Sequence, residues 1–503
     1  MTAIRSFLFV LLVMTGLNAC TQQAAETGEV RIALAQQVMT LDPRFSTDAA
    51  SHRVQELVHR GLVRLDDRFE AQPDVAESWT QPDALTWHLH LRDGQFFHNG
   101  QPVTAADVAA TLNAILDPAT ASPLRAGFSA IESVQVDGER DVVLHLSRPD
   151  ASLLTRLSIG ILPADVTKLG NQSQSIIGCG AFRVAGRDAR GLLLEREGKH
   201  SPDAVQSIRF IVVKDPVTRC LKLARGEVDF TENDLPPHLL GYLADQKQLK
   251  LATRASTTFA YIGLNMQDAT LKDVRVRRAL ALAVDRARLK KALNADLPVL
   301  GETVLTPSHW ASSYIPATPY NPERAAALLD EAGFKPDAHG VRFTLNYRTS
   351  TDPARLRMAS AIADMWGKIG VKVKVESLEW GGFYSRIKQG DFQVFSLAWV
   401  GIVDPDIYRW ILHSGMWPPK GANRGRYSNP QVDAWLNAAE ASQSREEQKT
   451  LYAKIQRQMA EDQVYIPLWY EPVIAVSGPR LEGFEPAPDG SLLGLLQARV
   501  GSL

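Results

Sequence analysis

Apolar and polar residues alternate with a period of two through Thr86-Trp87-His88-Leu89-His90-Leu91-Arg92, which predicts a half-buried strand, and Asp93-Gly94 follows as a turn. Val30–Ala35 (VRIALA), Asp141–Leu146 (DVVLHL) and Ile208–Val213 (IRFIVV) also read as strands, and Met39–Pro43 as a turn. The period changes between His52 and Leu62, where Val54, Leu57, Val58 and Leu62 fall on one face of a helix. A second helix starts near Thr104, an N-cap with Asp107 three residues later. Further on, Phe343–Tyr347 (FTLNY) alternates as a strand, and Asp352-Pro353 opens a helix. Met358, Ile362, Met365 and Ile369 share a face of that helix, with Gly370 placed to end it. Val371, Val373 and Val375 then alternate with Lys372, Lys374 and Glu376. Strand, helix and strand in this order form a βαβ unit, so the fold class is α/β, a mixed or parallel sheet covered by helices.

Composition adjusts this picture in three places. At 503 residues the chain is too long for one core, because single cores stop growing near about 250–300 residues, so separate lobes are expected. Lys and Arg number 55 against 56 Asp and Glu, a formal charge of −1, which argues against a nucleic-acid binder with its basic face. The first residues carry Arg5, an apolar run from Phe7 to Met14 and then Leu17-Asn18-Ala19-Cys20. That run falls short of the roughly 20 residues a spanning helix needs and reads as a cleaved export signal over residues 1–20. Residues 21–29, small and polar, read as a tether. Beyond Cys20 stand Cys179 and Cys220; an exported compartment permits a disulfide, and two buried free thiols are the preferred reading.

Enzyme constellations are not evident: there is no G-x-S-x-G, H-E-x-x-H, Walker loop or full dinucleotide fingerprint. His88 and His90 share a strand face without a carboxylate companion and read as solvated. No catalytic residue, metal site or cofactor is expected.

Several segments, in order, resemble the family 5 solute-binding proteins of ABC importers, the group with dipeptide-, oligopeptide- and nickel-binding members. They are Pro73–Trp79 (PDVAESW), Leu89–Gly100 (LHLRDGQFFHNG), Pro102–Val108 (PVTAADV), Gly226–Asp229 (GEVD), Gly263–Asn265 (GLN), Val274–Leu280 (VRVRRAL), Val284–Arg286 (VDR), Ala327–Phe334 (ALLDEAGF) and Tyr465–Leu468 (YIPL). The ending at Cys20 is similar to a lipobox, which implies lipidation of Cys20 and anchoring at the periplasmic or outer cell surface.

The resemblance implies two α/β lobes joined by a hinge. Residues 30–55, 170–262 and 476–503 would form lobe I, 56–169 an inserted subdomain and 263–475 lobe II. It implies a monomer without enzymatic activity that captures a short peptide as the lobes close and passes it to an inner-membrane permease. A metal complex, haem, an opine or an oligosaccharide are the other solutes such a fold would take, and a sensor or chaperone the other role. Trp79 and Trp87 read as core, and Asn265 as a residue fixing backbone between the lobes.

For a peptide, the resemblance places a carboxylate-clamping arginine at Arg348, at the end of strand Phe343–Tyr347. Dipeptide- and oligopeptide-binding relatives carry an amine-binding aspartate in a W-x-G-D pattern. Here Trp399-Val400-Gly401 is followed by Ile402, so either Asp404 substitutes or the ligand lacks a free amine there. Trp399, Trp380 and Tyr384 are candidate pocket walls, and Thr47 and Asp48, after Ser46, the contribution of lobe I. The polar stretch Asn423–Tyr427 (NRGRY) would line the cleft or meet the permease.

Overall fold

The computed structural model describes residues 28–168, 176–233, 235, 237–294 and 296–501. Cys20 and the export signal lie outside them. Among the described residues an 11-stranded mixed sheet runs through both lobes. Its lobe I half contains Glu29–Leu34, which pairs in parallel with Ser207–Val212 on one side and with Phe230–Glu232 on the other. Its lobe II half contains Phe343–Ser350, in parallel with both Val371–Leu378 and Val394–Trp399.

Two long antiparallel strands, Lys250–Leu264 and Tyr465–Ser477, cross from one half to the other. Their register breaks between Ala255 and Phe259, where the neighbours change: Ala475–Ser477 pair with lobe I, and Phe259–Leu264 with Val394–Trp399. This irregular segment is the hinge. The divisions expected at 262/263 and 475/476 fall inside these strands.

Each half is apolar on both faces, as a helix-covered sheet must be. In lobe II, Tyr261, Phe395, Trp399 and Tyr465 pack on one face, and Ile262, Leu345, Tyr347 and Trp366 on the other. The insert has a core of its own: helix Ala105–Leu116 covers a four-stranded antiparallel sheet, with Trp87 buried in the core and Trp79 packed against it. Thr104 and Asp107 cap that helix as the spacing predicts: Thr104 N and Oγ1 donate to Asp107 Oδ2 at 2.8 and 2.7 Å.

Several boundaries differ from expectation. The first helix is Ala49–Val58 rather than 52–62, because Asp48 caps it through Ser51 N at 2.8 Å. The tether yields one residue early: Glu29 is already strand, and its carboxylate meets Arg209 at 3.1 Å. The strand expected at 343–347 continues to Ser350, paired throughout with Val371–Leu378. Asn265 is not between the lobes; its Nδ2 donates to Gly390 O and Phe392 O within lobe II. Cys179 and Cys220 are free and buried, and burial pushes the Cys179 thiol up to about 11. Gly178 has its backbone so close to the first helix that a Cβ would sit 2.0 Å from Val58 O.

The insert also grips lobe II. Phe69, 2% exposed, lies in the left-handed region at φ 61°, unusual for a bulky side chain, and stacks on His309 at 5.5 Å. Trp310 N donates to Arg68 O at 3.0 Å, and Arg148 faces Glu440 at 3.6 Å. Burying one phenyl ring contributes about 1.5–3 kcal/mol, which offsets the local backbone strain.

Candidate functional site

Ligands of open α/β sheets bind outside the carboxyl ends of parallel strands. In lobe II those ends are Ser350, Leu378 and Trp399. The residues just beyond them are polar, capped or exposed. Asp352 accepts from Arg355 N at 2.9 Å to start helix Pro353–Gly367. Glu379 accepts from Gly381 N at 2.7 Å to start helix Trp380–Gln389. Val400, after Trp399, is 74% exposed.

A buried guanidinium organises this edge. Asn423 fixes its loop, donating from Nδ2 to Leu412 O and Tyr427 O while accepting from Tyr427 N. Gly425 permits the close approach, since its carbonyl accepts from Met266 N at 2.8 Å and a Cβ there would meet Leu264 O at 2.8 Å. Arg424 is thereby held over Trp399, 4.2 Å from the ring centroid. Its Nη1 donates to the Tyr261 hydroxyl at 3.1 Å and its Nη2 to the Tyr384 hydroxyl at 3.0 Å. Trp399 stacks on Tyr261 at 5.7 Å, and Tyr384 on the half-exposed Trp380 at 5.7 Å. Burial opposes the charge of Arg424, and the hydroxyls of Tyr261, Tyr384 and Tyr465 outweigh it, so its pKa lies above the ordinary value. The Tyr261 phenol is pushed up to about 12 by burial.

Among the described residues no carboxylate pairs with Arg424. The half-buried Arg355 likewise has no ion-pair partner, and its field reaches Tyr261, Tyr347 and Glu471. Glu471 stands on the hinge strand, where burial raises its pKa, and accepts from Trp469 Nε1 at 2.9 Å. The edge therefore offers two cations without an ion-pair partner beside aromatic faces, an arrangement suited to a carboxylate with an apolar neighbour.

Trp399, Trp380 and Tyr384 thus come together around an arginine the residue patterns did not single out. Arg348 lies elsewhere. It is inside the strand rather than at its end, 9% exposed, and forms ion pairs with Glu376 and Asp391, both at 2.8 Å. Asp404 turns away to the insert, accepting from Ser152 Oγ at 2.5 Å. Ile402 packs against the core that holds Trp399, and its N donates to Thr257 O at 3.1 Å. In lobe I, Thr47 is exposed, Asp48 is occupied as the helix cap and Ser46 is buried. Arg424 sits in a loop without periodicity, so only the basic character of Asn423–Tyr427 hinted at it. Arg355 was accessible to topology: it is in the first turn after a parallel strand.

Among the described residues no group of three His, Cys, Asp or Glu side chains is placed to hold a metal ion. His90 pairs with Asp141 at 2.8 Å on the surface of the insert. No helix among the described residues is long and apolar enough to cross a membrane.

A sheet shared by two lobes, a two-strand hinge and a cationic aromatic edge facing it define a two-lobed solute-binding protein. Residues 70–417, more than half of the chain, match the bacterial extracellular solute-binding proteins, family 5 (middle region), and the chain belongs to that family. It is 28% identical over 477 residues to the periplasmic oligopeptide-binding protein OppA of Haemophilus influenzae, covering 86% of each chain. It is 27% identical over 508 residues to the glutathione-binding protein GsiB of Escherichia coli K12, covering 96% of this chain and 97% of that one. The fold superposes on HbpA2 from Haemophilus parasuis with a TM-score of 0.84 at 22% identity, covering 94% of this chain and all of the other. The chain is a solute-binding protein for ABC import rather than an enzyme.

Proposed function

We propose that the chain captures a short peptide between its lobes, anchors the peptide carboxylate at the carboxyl edge of lobe II, and delivers it to an inner-membrane permease. The observation that carries this reading is the pair Arg424 and Arg355, two cations on one edge without a carboxylate of their own. Leaving a buried cation unpaired is costly, and a ligand carboxylate supplies what both lack. The oligopeptide- and glutathione-binding activities named for its relatives support the same class of solute. Residues 46–48 of lobe I face the ligand in this reading, and closure is stabilised by contacts made only when both lobes engage it. Residues 30–55, 170–262 and 476–503 act as lobe I, 56–169 as the insert and 263–475 as lobe II. The protein works as a monomer at the periplasmic or cell surface, anchored through lipid on Cys20.

The test is a melting-temperature screen of protein lacking residues 1–20, unfolded and refolded to remove bound ligand. Specific binding at a hundredfold excess over Kd stabilises by about 2.7 kcal/mol. Peptides with a free carboxylate are expected to raise the melting temperature, and their amides to do so far less. A shift with a sugar or metal chelate and none with any peptide would overturn the reading. For the anchor, the full-length chain expressed in a bacterium is expected in the membrane fraction, and Cys20→Ser in the soluble one.

A further inference from the structure

A cavity of about 670 Å³ lies where the insert meets lobe II, apart from the edge built around Arg424. The insert supplies Arg148, Asp150 and Arg156 to its wall, and lobe II supplies Asp406, Trp410 and Glu440. Most of the charges are already matched. Arg156 binds Asp150, and Arg409 and Arg148 face Glu440 at 2.9 and 3.6 Å. Asp406 is the exception: it makes no ion pair, and its Oδ2 accepts from Trp410 Nε1 at 3.0 Å. Around it stand the carboxylates of Asp404, Asp150 and Glu440 and the guanidinium groups of Arg156, Arg148 and Arg409, of which Arg156 is taken by Asp150 and the other two by Glu440. Trp410 is 45% exposed, so its ring has a free surface in the same cavity.

We propose that this cavity is a second binding site, specific for an organic cation such as a primary ammonium, held between the Asp406 carboxylate and the face of Trp410. An ammonium there supplies the counter-charge that Asp406 lacks and gains from the indole ring. Because the two walls belong to different parts of the chain, occupancy ties the insert to lobe II beside the Ser152–Asp404 contact. The site stands independently of the carboxylate reading of the main cleft.

Burial, and then the charge of Asp404, push the Asp406 carboxyl up to about 6, so its charge is largely lost at pH 5. The experiment follows the fluorine resonance of Trp410 in mature protein labelled with 5-fluorotryptophan, assigned with Trp410→Phe, during titration with cadaverine or with the neutral pentanol. The expected result is a saturable shift with cadaverine at pH 7.5 and none with pentanol. Affinity should be at least tenfold weaker at pH 5 and in Asp406→Asn, whose melting temperature at pH 7.5 should not fall below wild type. Absence of a saturable shift, or equal affinity in Asp406→Asn, would overturn the proposal. So would equal responses to cadaverine and pentanol.

Discussion

Lobe II holds two arginines that are equally hidden, each 9% exposed, in opposite electrostatic settings. Arg348 lies between Glu376 and Asp391, so its charge is neutralised within the protein. Arg424 is surrounded by an indole face and phenolic hydroxyls, which tolerate a cation without neutralising it. Burial alone therefore does not identify a ligand anchor. What distinguishes the two is the missing counter-ion, together with position: Arg424 sits over Trp399, the last residue of its strand, while Arg348 pairs with Phe395 near that strand's start.

The comparison breaks most readily at Arg424. Arg424→Gln is expected to weaken a carboxylate-bearing ligand at least a hundredfold, about 3 kcal/mol, in calorimetric titration, with little change in the melting temperature of the unliganded protein. Arg348→Gln should do the reverse, costing about 1–3 kcal/mol of stability in urea unfolding while leaving affinity within twofold.

A third buried charge, in lobe I, extends the contrast. Glu232 faces Arg53 at 3.4 Å but keeps Oε2 without a hydrogen-bond partner, and burial pushes its carboxyl up to about 8. A folded pKa above the unfolded value means that the folded state favours the protonated form. The stabilisation is full below about pH 4.5 and disappears as pH rises through about 8. Glu232→Gln should remove this loss and flatten the stability profile between pH 5 and 8.

Arg355→Gln should cost roughly tenfold in affinity, about 1.4 kcal/mol, because its half-buried charge is partly screened. Tyr384→Phe removes one hydrogen bond to Arg424 and should cost about 0.5–1.5 kcal/mol of affinity.

Much of the scaffold was legible from periodicity. The βαβ unit of lobe II and the capping box at Thr104 are local patterns, and local patterns survive folding. The misplaced ends share a cause. Strand Phe343–Ser350 outran its apolar alternation because pairing with Val371–Leu378 continues through polar residues, and that carried Arg348 from the expected strand end into the interior. The grouping of Trp380, Tyr384 and Trp399 was readable because large aromatics cluster in one stretch of sequence. Arg424 was not, since its role arises from Tyr261, Tyr384 and Trp399, which lie 163, 40 and 25 positions away. The contact of Asp404 was hidden for a similar reason: its Ser152 partner lies 252 positions away.

The most direct test is a double-mutant cycle by calorimetry, with the best-binding peptide of the pool and its carboxy-terminal amide, on refolded wild type, Arg348→Gln and Arg424→Gln. If Arg424 is the carboxylate anchor, amidation should weaken binding at least thirtyfold in wild type and in Arg348→Gln, and hardly at all in Arg424→Gln. An amidation penalty that persists in Arg424→Gln and vanishes in Arg348→Gln would contradict the account and return the clamp to Arg348.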